Sequence, residues 1–379
     1  MGNKSSAHTK SIGWRIVSTT RLLAIQLLVF FVLLEIVSRI VDPIGISYYD
    51  ESARLFDEMI IEEPIGYRFP PGLEGNFYSV PVSINAHGMR DRPVPAQKDP
   101  GEFRILAMGD SVIFSLGVAA EDSIPAQLEA IANENTPKGV RYRTLNMGVP
   151  SYNTVQQLEQ LRQVGLSLKP DAAFLFLVPN DLQDKMWVYE KRGNFLVDMA
   201  QRSYAVGITF YAGRWFLNML GFYTNPNQVR FDHEQFLESH PELAAESGSE
   251  IPGSSGSRPA TRKDVLDAVL SEQRWLDVEN SLLEMSRLLR EVNVPFMVLY
   301  RSHLRQSYVR RIAELGKQAG FAVQELDIFD DPRWDKADKA KYVNSPVDSH
   351  CNAAGCTIYA TVIYEKLVET GLLPGAAVQ

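Results

Sequence analysis

Three residue types that together can cleave an acyl bond stand far apart in this chain of 379 residues. Gly109-Asp110-Ser111 follows directly on a short apolar run, and Asp348 and His350 stand close together near the other end. A serine hydroxyl is a weak nucleophile unless a base accepts its proton and a third group orients that base. The pattern therefore predicts acyl transfer through Ser111, with His350 as the base and Asp348 as its orienting carboxylate.

The elements that must bring these residues together alternate between strands and helices. From Arg104 onward, apolar runs alternate with helical patterns, which is typical of a parallel sheet built from βαβ units. The predicted strands cover residues 104–108, 142–147, 172–178, 295–300 and 323–328. The predicted helices cover residues 123–133, 154–166, 275–292, 306–320 and 352–369. We therefore predict an α/β fold of the three-layer αβα type, with a five-stranded, parallel, flavodoxin-like sheet.

Ser111 falls where such a fold places its site. In open α/β folds the ligand lies just beyond the carboxyl ends of the strands, and Ser111 directly follows the first predicted strand. Two further segments follow the second and third predicted strands, and a fourth precedes the last predicted helix. In chain order the four segments are Gly109-Asp110-Ser111, Asn146-Met147-Gly148-Val149, Val178-Pro179-Asn180-Asp181 and Asp348-Ser349-His350.

In this order, the four segments resemble the SGNH (GDSL) family of serine hydrolases, and the resemblance covers about residues 104–367. The run Asn85-Ala-His-Gly-Met-Arg90 also resembles membrane-anchored bacterial members. The resemblance implies a catalytic triad and an oxyanion hole. The triad would be Ser111, Asp348 and His350, and the oxyanion donors would be the Ser111 N–H, the Gly148 N–H and the side-chain amide of Asn180.

Elementary chemistry supports these oxyanion donors. Negative charge develops on the carbonyl oxygen during acyl transfer, and deleting one preorganised donor costs roughly 3 kcal/mol. Gly148 lets a backbone N–H approach where a side chain would block it, and Asn180 supplies a neutral amide donor. The chain departs from the family pattern twice. Val178 stands where the third block usually has glycine, and one residue rather than two separates Asp348 from His350.

The N-terminus carries a membrane signal. A basic leader, residues 1–21, precedes an apolar run of 20 residues at 22–41, which as a helix matches the thickness of the hydrocarbon core. The leader predicts a cytoplasmic N-terminus and a catalytic domain in the periplasm or outside the cell. A cleaved signal peptide is the alternative. No small-x-small cleavage site follows the run, so we favour an uncleaved, single-pass signal anchor in the inner (cytoplasmic) membrane.

The rest of the chain divides into a lead-in and a hydrolase domain. Residues 42–100 are rich in Pro, Gly and aromatic residues, and we expect them to pack on the main domain with a short edge strand at 78–84. The hydrolase domain is placed at 101–372. An insertion at 185–273 follows its third strand and holds a flexible tract at 246–260. Its apolar stretch, 204–223, is either a lid or substrate platform or a structural subdomain, and a second spanning helix is less favoured.

Composition bears on several other classes of protein. A formal net charge of -8 and no basic patch beyond the N-terminus argue against a nucleic-acid binder. No cluster has metal-ligand spacing and no glycine-rich phosphate loop occurs, so no metal or cofactor is expected. Cys351 and Cys356 begin the last predicted helix, where positions five apart point to different faces. A disulfide would require Cys351 to lie outside the first turn, so we expect two small buried thiols.

These features together predict a membrane-anchored serine esterase that works through an acyl-Ser111 intermediate. The expected partners are the membrane, through residues 22–41, and an acylated carbohydrate or other ester as substrate. The favoured substrates carry acetyl or other short acyl groups on envelope or extracellular polysaccharide. Three alternatives stay open: an O-acyltransferase for an exported polysaccharide with the same triad, a lysophospholipase or lipase, and a non-enzymatic glycan-binding module.

Overall fold

The computed structural model of the chain divides into two compact units. One comprises residues within 1–50 and 189–236, and the other comprises residues within 51–188 and 237–379. The structure describes residues 5–41, 46–136, 139–178, 181, 203–209, 213, 262–301, 306–346 and 348–375. The predicted flexible tract at 246–260 and most of the apolar stretch 204–223 lie outside these residues.

The described helices and strands follow one another in this order along the chain. They are α1 (Ser5–Val41), α2 (Ile46–Asp57), β1 (Ile60–Glu62), β2 (Gly66–Arg68), β3 (Glu74–Phe77), β4 (Val80–Ser83), β5 (Glu102–Gly109), α3 (Ser111–Phe114), α4 (Ile124–Glu134), β6 (Arg141–Gly148), α5 (Thr154–Gln163), β7 (Ala172–Leu177), α6 (Arg262–Glu291), β8 (Phe296–Arg301), α7 (Gln306–Ala319), β9 (Ala322–Leu326) and α8 (Ala353–Glu369). A further short helix covers residues 204–209.

The second unit is built on a sheet of five parallel strands. Their spatial order is β6-β5-β7-β8-β9. Numbered along the chain, this is the order 2-1-3-4-5, so the predicted flavodoxin-like arrangement is confirmed. Every residue of the central strand β7 is buried. Burial on both faces explains why this strand is an uninterrupted apolar run.

Helices cover both faces of this sheet, which confirms the predicted three layers. Successive strand residues point to opposite faces. Ile105 of β5 packs in the core that includes α4 and α8, whereas Leu106 packs in the core that includes α5, α6 and α7. The helix predicted at 275–292 begins earlier, at Arg262. The last part of the predicted insertion 185–273 is therefore helical.

The lead-in contains two antiparallel hairpins, and β4 of the second hairpin lies within the strand predicted at 78–84. β1 pairs with β2, and β3 pairs with β4. Arg90, just beyond the second hairpin, is buried, and its guanidinium donates to the carbonyl oxygens of Phe114 at 3.0 Å, Ser115 at 2.8 Å and Val118. These carbonyls lie at the end of α3 and in the turn after it. A residue of the lead-in thus fixes the segment that begins with Ser111.

The first unit contains α1, whose apolar part is long enough to cross a membrane. Within the described part of the chain, one stretch meets this condition, Thr19–Ile40, with 22 residues. Its large apolar side chains are mostly exposed, as in Leu28 at 65% and Ile40 at 77%. A helix that exposes apolar side chains along its length is compatible with membrane anchoring. The stretch overlaps the predicted span 22–41.

We expect Arg90→Ala to destabilise the protein far more than Arg92→Ala, two positions along. Arg90 is 3% exposed, and its loss leaves three carbonyl oxygens without their donor. Such a change costs at least about 3 kcal/mol in free energy of unfolding. The Arg92 side chain is 65% exposed and pairs with Glu129, a contact worth at most about 1 kcal/mol. Denaturant unfolding of the full-length chain in detergent measures both, and equal losses would contradict this role of Arg90.

Candidate active site

A tight strand-to-helix turn presents Ser111. β5 ends at Gly109, Asp110 caps α3, and Ser111 is the first residue of that helix. The Asp110 carboxylate accepts the Val112 N–H at 2.9 Å, which satisfies one of the N–H groups that a helix start leaves unpaired. Asp110 therefore stabilises the turn, and Ser111 lies half-buried at the carboxyl end of the sheet.

The structure brings Ser111, His350 and Asp348 into one hydrogen-bonded chain. His350 Nε2 lies 2.7 Å from Ser111 Oγ, and His350 Nδ1 lies 2.6 Å from Asp348 Oδ1. A neutral imidazole with its proton on Nδ1 donates to the carboxylate and accepts the serine proton at Nε2. This is the arrangement that activates a serine nucleophile.

Asp348 is buried, yet it is held as a carboxylate. Burial raises the pKa of Asp348, but the hydrogen bond and charge of His350, with the side chain of Asn344, outweigh burial and lower this pKa below its usual value. Asp348 Oδ1 also accepts the backbone N–H of His350 at 3.1 Å, and Oδ2 accepts Asn344 Nδ2 at 2.9 Å. Sequence reasoning missed Asn344, because an asparagine in a predicted loop belongs to no pattern.

A disulfide follows His350 directly. Cys351 and Cys356 are joined, with their Cα atoms 5.3 Å apart, so the expectation of two buried thiols is wrong. Asn352 caps α8, which places Cys351 outside the helix. There Cys351 pairs with Val343 in an isolated antiparallel β-bridge. The geometric condition that the sequence set for a disulfide is therefore met. The crosslink ties the loop that carries Asp348 and His350 to the first turn of α8.

The structure gives Gly148 a packing role in place of the predicted one. Its N–H donates to Asn146 Oδ1 at 3.0 Å, so this N–H is not open to a substrate oxygen. A Cβ on Gly148 would overlap the backbone nitrogen of Phe114 and lie 2.6 Å from the carbonyl carbon of Ile113. Only glycine lets α3 lie this close to the end of β6. The expected contribution of Gly148 to the oxyanion hole is therefore absent from this arrangement.

Two other backbone N–H groups near this edge of the sheet have no acceptor among the residues that the structure describes. They belong to Ser111 and to Ser151, three positions beyond the end of β6. Ser151 adopts a left-handed backbone with φ 63°. The carbonyl of the preceding residue, Pro150, accepts the hydroxyl of Tyr67 at 2.9 Å, which fixes this turn.

Asp181, the last residue of the third predicted segment, accepts hydrogen bonds from two residues. The Val178 N–H donates to Asp181 Oδ2 at 2.7 Å, and the Thr154 hydroxyl donates to Oδ1 at 3.3 Å. Burial, followed by the charge of Asp110, raises the pKa of Asp181 well above its usual value. Val178, which replaces the family's usual glycine, packs its side chain into the core. Asn180, the predicted amide donor, lies outside the described residues.

Comparison with known proteins finds similarity in structure only. No protein-family model and no curated protein sequence matches the chain. Among solved structures, the chain is similar to a two-domain esterase active on acetylated mannans (10% identity, TM-score 0.38). That match covers 73% of this chain but 53% of the esterase, so the chain spans about half the length of that protein.

Two further similar structures are matched over nearly their whole length. One is a lipase/acylhydrolase from Enterococcus faecalis (12% identity, TM-score 0.36, 73% of this chain and 100% of the other). The other is a putative lipolytic protein of the G-D-S-L family from Desulfitobacterium hafniense (10% identity, TM-score 0.35, 69% and 98%). At these identities the chemistry of this protein has to be derived from its own residues.

We expect Gly148→Ala to destabilise the protein by about 3 kcal/mol, because the added methyl group overlaps backbone atoms of α3 that cannot move independently. Activity should fall with stability. The matched control is Gly213→Ala, a helical position where a Cβ meets no atom of the described residues within 4 Å and where alanine is favourable by up to about 1 kcal/mol. Thermal unfolding of both full-length variants makes the comparison. A Gly148→Ala protein as stable as the Gly213→Ala protein would show that α3 does not lie on β6 as described.

Proposed function

We propose that this protein is a serine ester hydrolase of the SGNH (GDSL) type. The observation that carries this proposal is the continuous chain of hydrogen bonds from Ser111 through His350 to Asp348. An exposed serine without a base would be chemically inert, and a histidine without an orienting carboxylate would be free to rotate. Both requirements are satisfied here by side chains from opposite ends of the hydrolase domain.

The geometry supports a two-step acyl transfer. As Ser111 Oγ attacks the ester carbonyl carbon, His350 Nε2 takes the hydroxyl proton. The tetrahedral intermediate then expels the alcohol, which receives that proton, and leaves the acyl group on Ser111. His350 next deprotonates a water molecule that attacks the acyl-enzyme, and it passes this proton to Ser111 Oγ as the bond from Oγ to the acyl carbon breaks and the carboxylic acid leaves. Throughout, Asp348 keeps its charge, holds the Nδ1 proton of His350 and stabilises the imidazolium that forms in each step.

Donors for the developing oxyanion come from the turns at the end of β5 and β6. The Ser111 N–H and the Ser151 N–H have no acceptor among the described residues, so they are free to bind an oxyanion. Asn180 adds a side-chain amide, as the family resemblance implies. We assign no direct role to the Gly148 N–H, because Asn146 accepts it.

We further propose that the enzyme is anchored in the inner membrane by residues 22–41 and acts outside the cytoplasm on short acyl esters of polysaccharide. The span Thr19–Ile40 and the basic leader before it support this topology. The Cys351–Cys356 disulfide agrees with an oxidising compartment. The similar esterase active on acetylated mannans makes acetylated glycans the first substrates to test.

The decisive experiment is hydrolysis of p-nitrophenyl esters of increasing acyl length by the full-length protein in detergent. Ser111→Ala and His350→Ala should each lower kcat/KM more than about 1,000-fold, because either change breaks the activated nucleophile. Ser349→Ala, an exposed serine between the other two triad residues, is the matched control and should keep the wild-type rate.

Equal rates in the wild-type protein and all three variants would exclude an enzymatic function of this site and favour the glycan-binding module. A preference for long acyl chains would favour a lipase. If acetyl groups pass to an added oligosaccharide faster than they pass to water, the same triad serves an acyltransferase.

A further inference from the structure

The Asn344 side chain connects the Asp348 carboxylate to the turn that follows Ser111. Its side-chain amide carries two hydrogens, and both are used: Nδ2 donates to Asp348 Oδ2 at 2.9 Å and to the Leu116 carbonyl at 2.8 Å. Its backbone N–H donates to the His350 carbonyl at 3.0 Å. Gly117, at φ 77°, makes room for this amide, because a Cβ there would lie 2.5 Å from Asn344 Nδ2.

Leu116 belongs to the nucleophile's own turn. Its N–H donates to the Ser111 carbonyl at 3.2 Å, so the Leu116 carbonyl moves with the start of α3. Asp348 is 4% exposed, and its Oδ1 is occupied by the ring and the backbone N–H of His350. The Asn344 amide therefore supplies the donor for the second carboxylate oxygen and connects that carboxylate to the turn of Ser111.

We propose that Asn344 is a positioning residue for catalysis that acts through Asp348. It fixes the rotation of the carboxylate so that Oδ1 points at His350 Nδ1, and it holds this pair in register with Ser111. The proposal rests on the esterase function proposed above. A residue that served only the fold would affect stability but not the charge balance of the Asp348–His350 pair.

The test is Asn344→Asp, which keeps the shape but replaces both donor hydrogens by an acceptor and places a second carboxylate beside Asp348. Repulsion between the two groups favours a protonated imidazole. We expect kcat/KM at neutral pH to fall about 100-fold, and the acid limb of its pH profile to move up by about one pH unit or more. Asn344→Ser, which restores one donor without charge, should recover part of the rate and return the limb to its wild-type position.

Asn352→Asp is the matched control. This asparagine also donates two side-chain hydrogen bonds in the same loop, to the Lys341 and Val343 carbonyls, but makes no contact with Asp348. It should lose stability without moving the pH profile. NMR titration of the His350 ring in each protein gives the same comparison without turnover, so it separates failure of this proposal from failure of the esterase function. Equal shifts in the two aspartate variants, or no shift in Asn344→Asp, would overturn the proposal.

A second, independent observation concerns the first unit, where the start of helix 204–209 meets the membrane helix. Glu35 of α1 lies five residues before the end of the apolar span, about 7.5 Å along the helix axis. Its carboxylate accepts the Ser203 hydroxyl and the Ala205 N–H, both at 2.8 Å, and the Arg39 side chain at 2.6 Å. The Arg39 guanidinium also lies over the ring of Tyr204, 4.9 Å from its centroid.

Small residues on either side of this carboxylate are buried. Ser38 of α1 and Ala205 are almost fully buried, at 2% and 3% exposure, and Gly207 is also buried. Small side chains at a contact between helices are typical of packing inside membranes, and a charged residue in a span is costly unless it is paired. The contact therefore has the chemistry of a membrane-level interface.

We infer that residues 203–209 dock on the anchor helix at the outer edge of the bilayer, with Glu35 as the polar contact that holds them. This inference rests on the proposed membrane anchoring. It makes residues 203–209 of the insertion a membrane-bound segment, fixed to the helix that anchors the enzyme. Val206 lines one cavity with Phe31 and Val32, residues well inside the span.

The experiment uses the full-length protein in lipid nanodiscs, where both faces of the bilayer are accessible to reagents. Both native cysteines are in a disulfide, so Val206→Cys introduces the free thiol of the variant. A charged maleimide should label it at least tenfold more slowly than Glu134→Cys, an exposed control in α4. Adding Glu35→Leu to Val206→Cys should raise its labelling to the rate of the control.

Equal labelling of Val206→Cys and Glu134→Cys with Glu35 in place would overturn the docking. So would protection that persists in the Glu35→Leu protein. A protein that fails to enter nanodiscs would instead show that the anchoring itself is wrong, and the two failures are therefore distinct.

Discussion

A helix of four residues cannot hold its own position, and the nucleophile is the first residue of such a helix. Helix formation is costly to nucleate and needs tertiary contacts when the helix is this short. α3 receives these contacts from three directions. The backbone at Gly148 supports it from the sheet, Arg90 of the lead-in binds the carbonyls at its C-terminal end, and Asn344 reaches the turn from the loop that carries the base.

The same region shifts the pKa values of two carboxyl groups in opposite directions. Asp348 is surrounded by donors, and His350 and Asn344 hold its pKa low although burial acts against them. Asp181 is buried beside the charge of Asp110, and its pKa is raised. The first suits a partner for a histidine that becomes positively charged, and the second accepts hydrogen bonds from Val178 and Thr154 in the turn after β7. Environment, not residue type, separates the two roles.

The sequence predicted the layers, the strand order and the convergence of the triad segments, because parallel strands and their helices follow hydrophobic periodicities that can be recognised locally. Residue type and spacing did not show which contacts Gly148 and the two cysteines make, although each partner lies within five positions. The family resemblance assigned an oxyanion role to the Gly148 N–H, but Asn146 Oδ1 accepts that N–H. The cysteines were expected to be free because they were placed on one helix, whereas Asn352 begins that helix after Cys351.

By itself, the sequence determined which side chains are available for chemistry and at which edge of the sheet they emerge. It also determined the apolar N-terminal run, since each of these properties depends on residue types at short spacing. Only the tertiary structure decided how Ser111 and His350, 239 positions apart, come to lie within hydrogen-bond distance. It also decided that the Ser111 and Ser151 N–H groups have no acceptor among the described residues. It decided, too, that Asn344 donates to the second oxygen of the Asp348 carboxylate. The physical reason is that a hydrogen bond forms only when donor and acceptor from distant segments are placed to within a few tenths of an ångström. Local sequence patterns carry no such information.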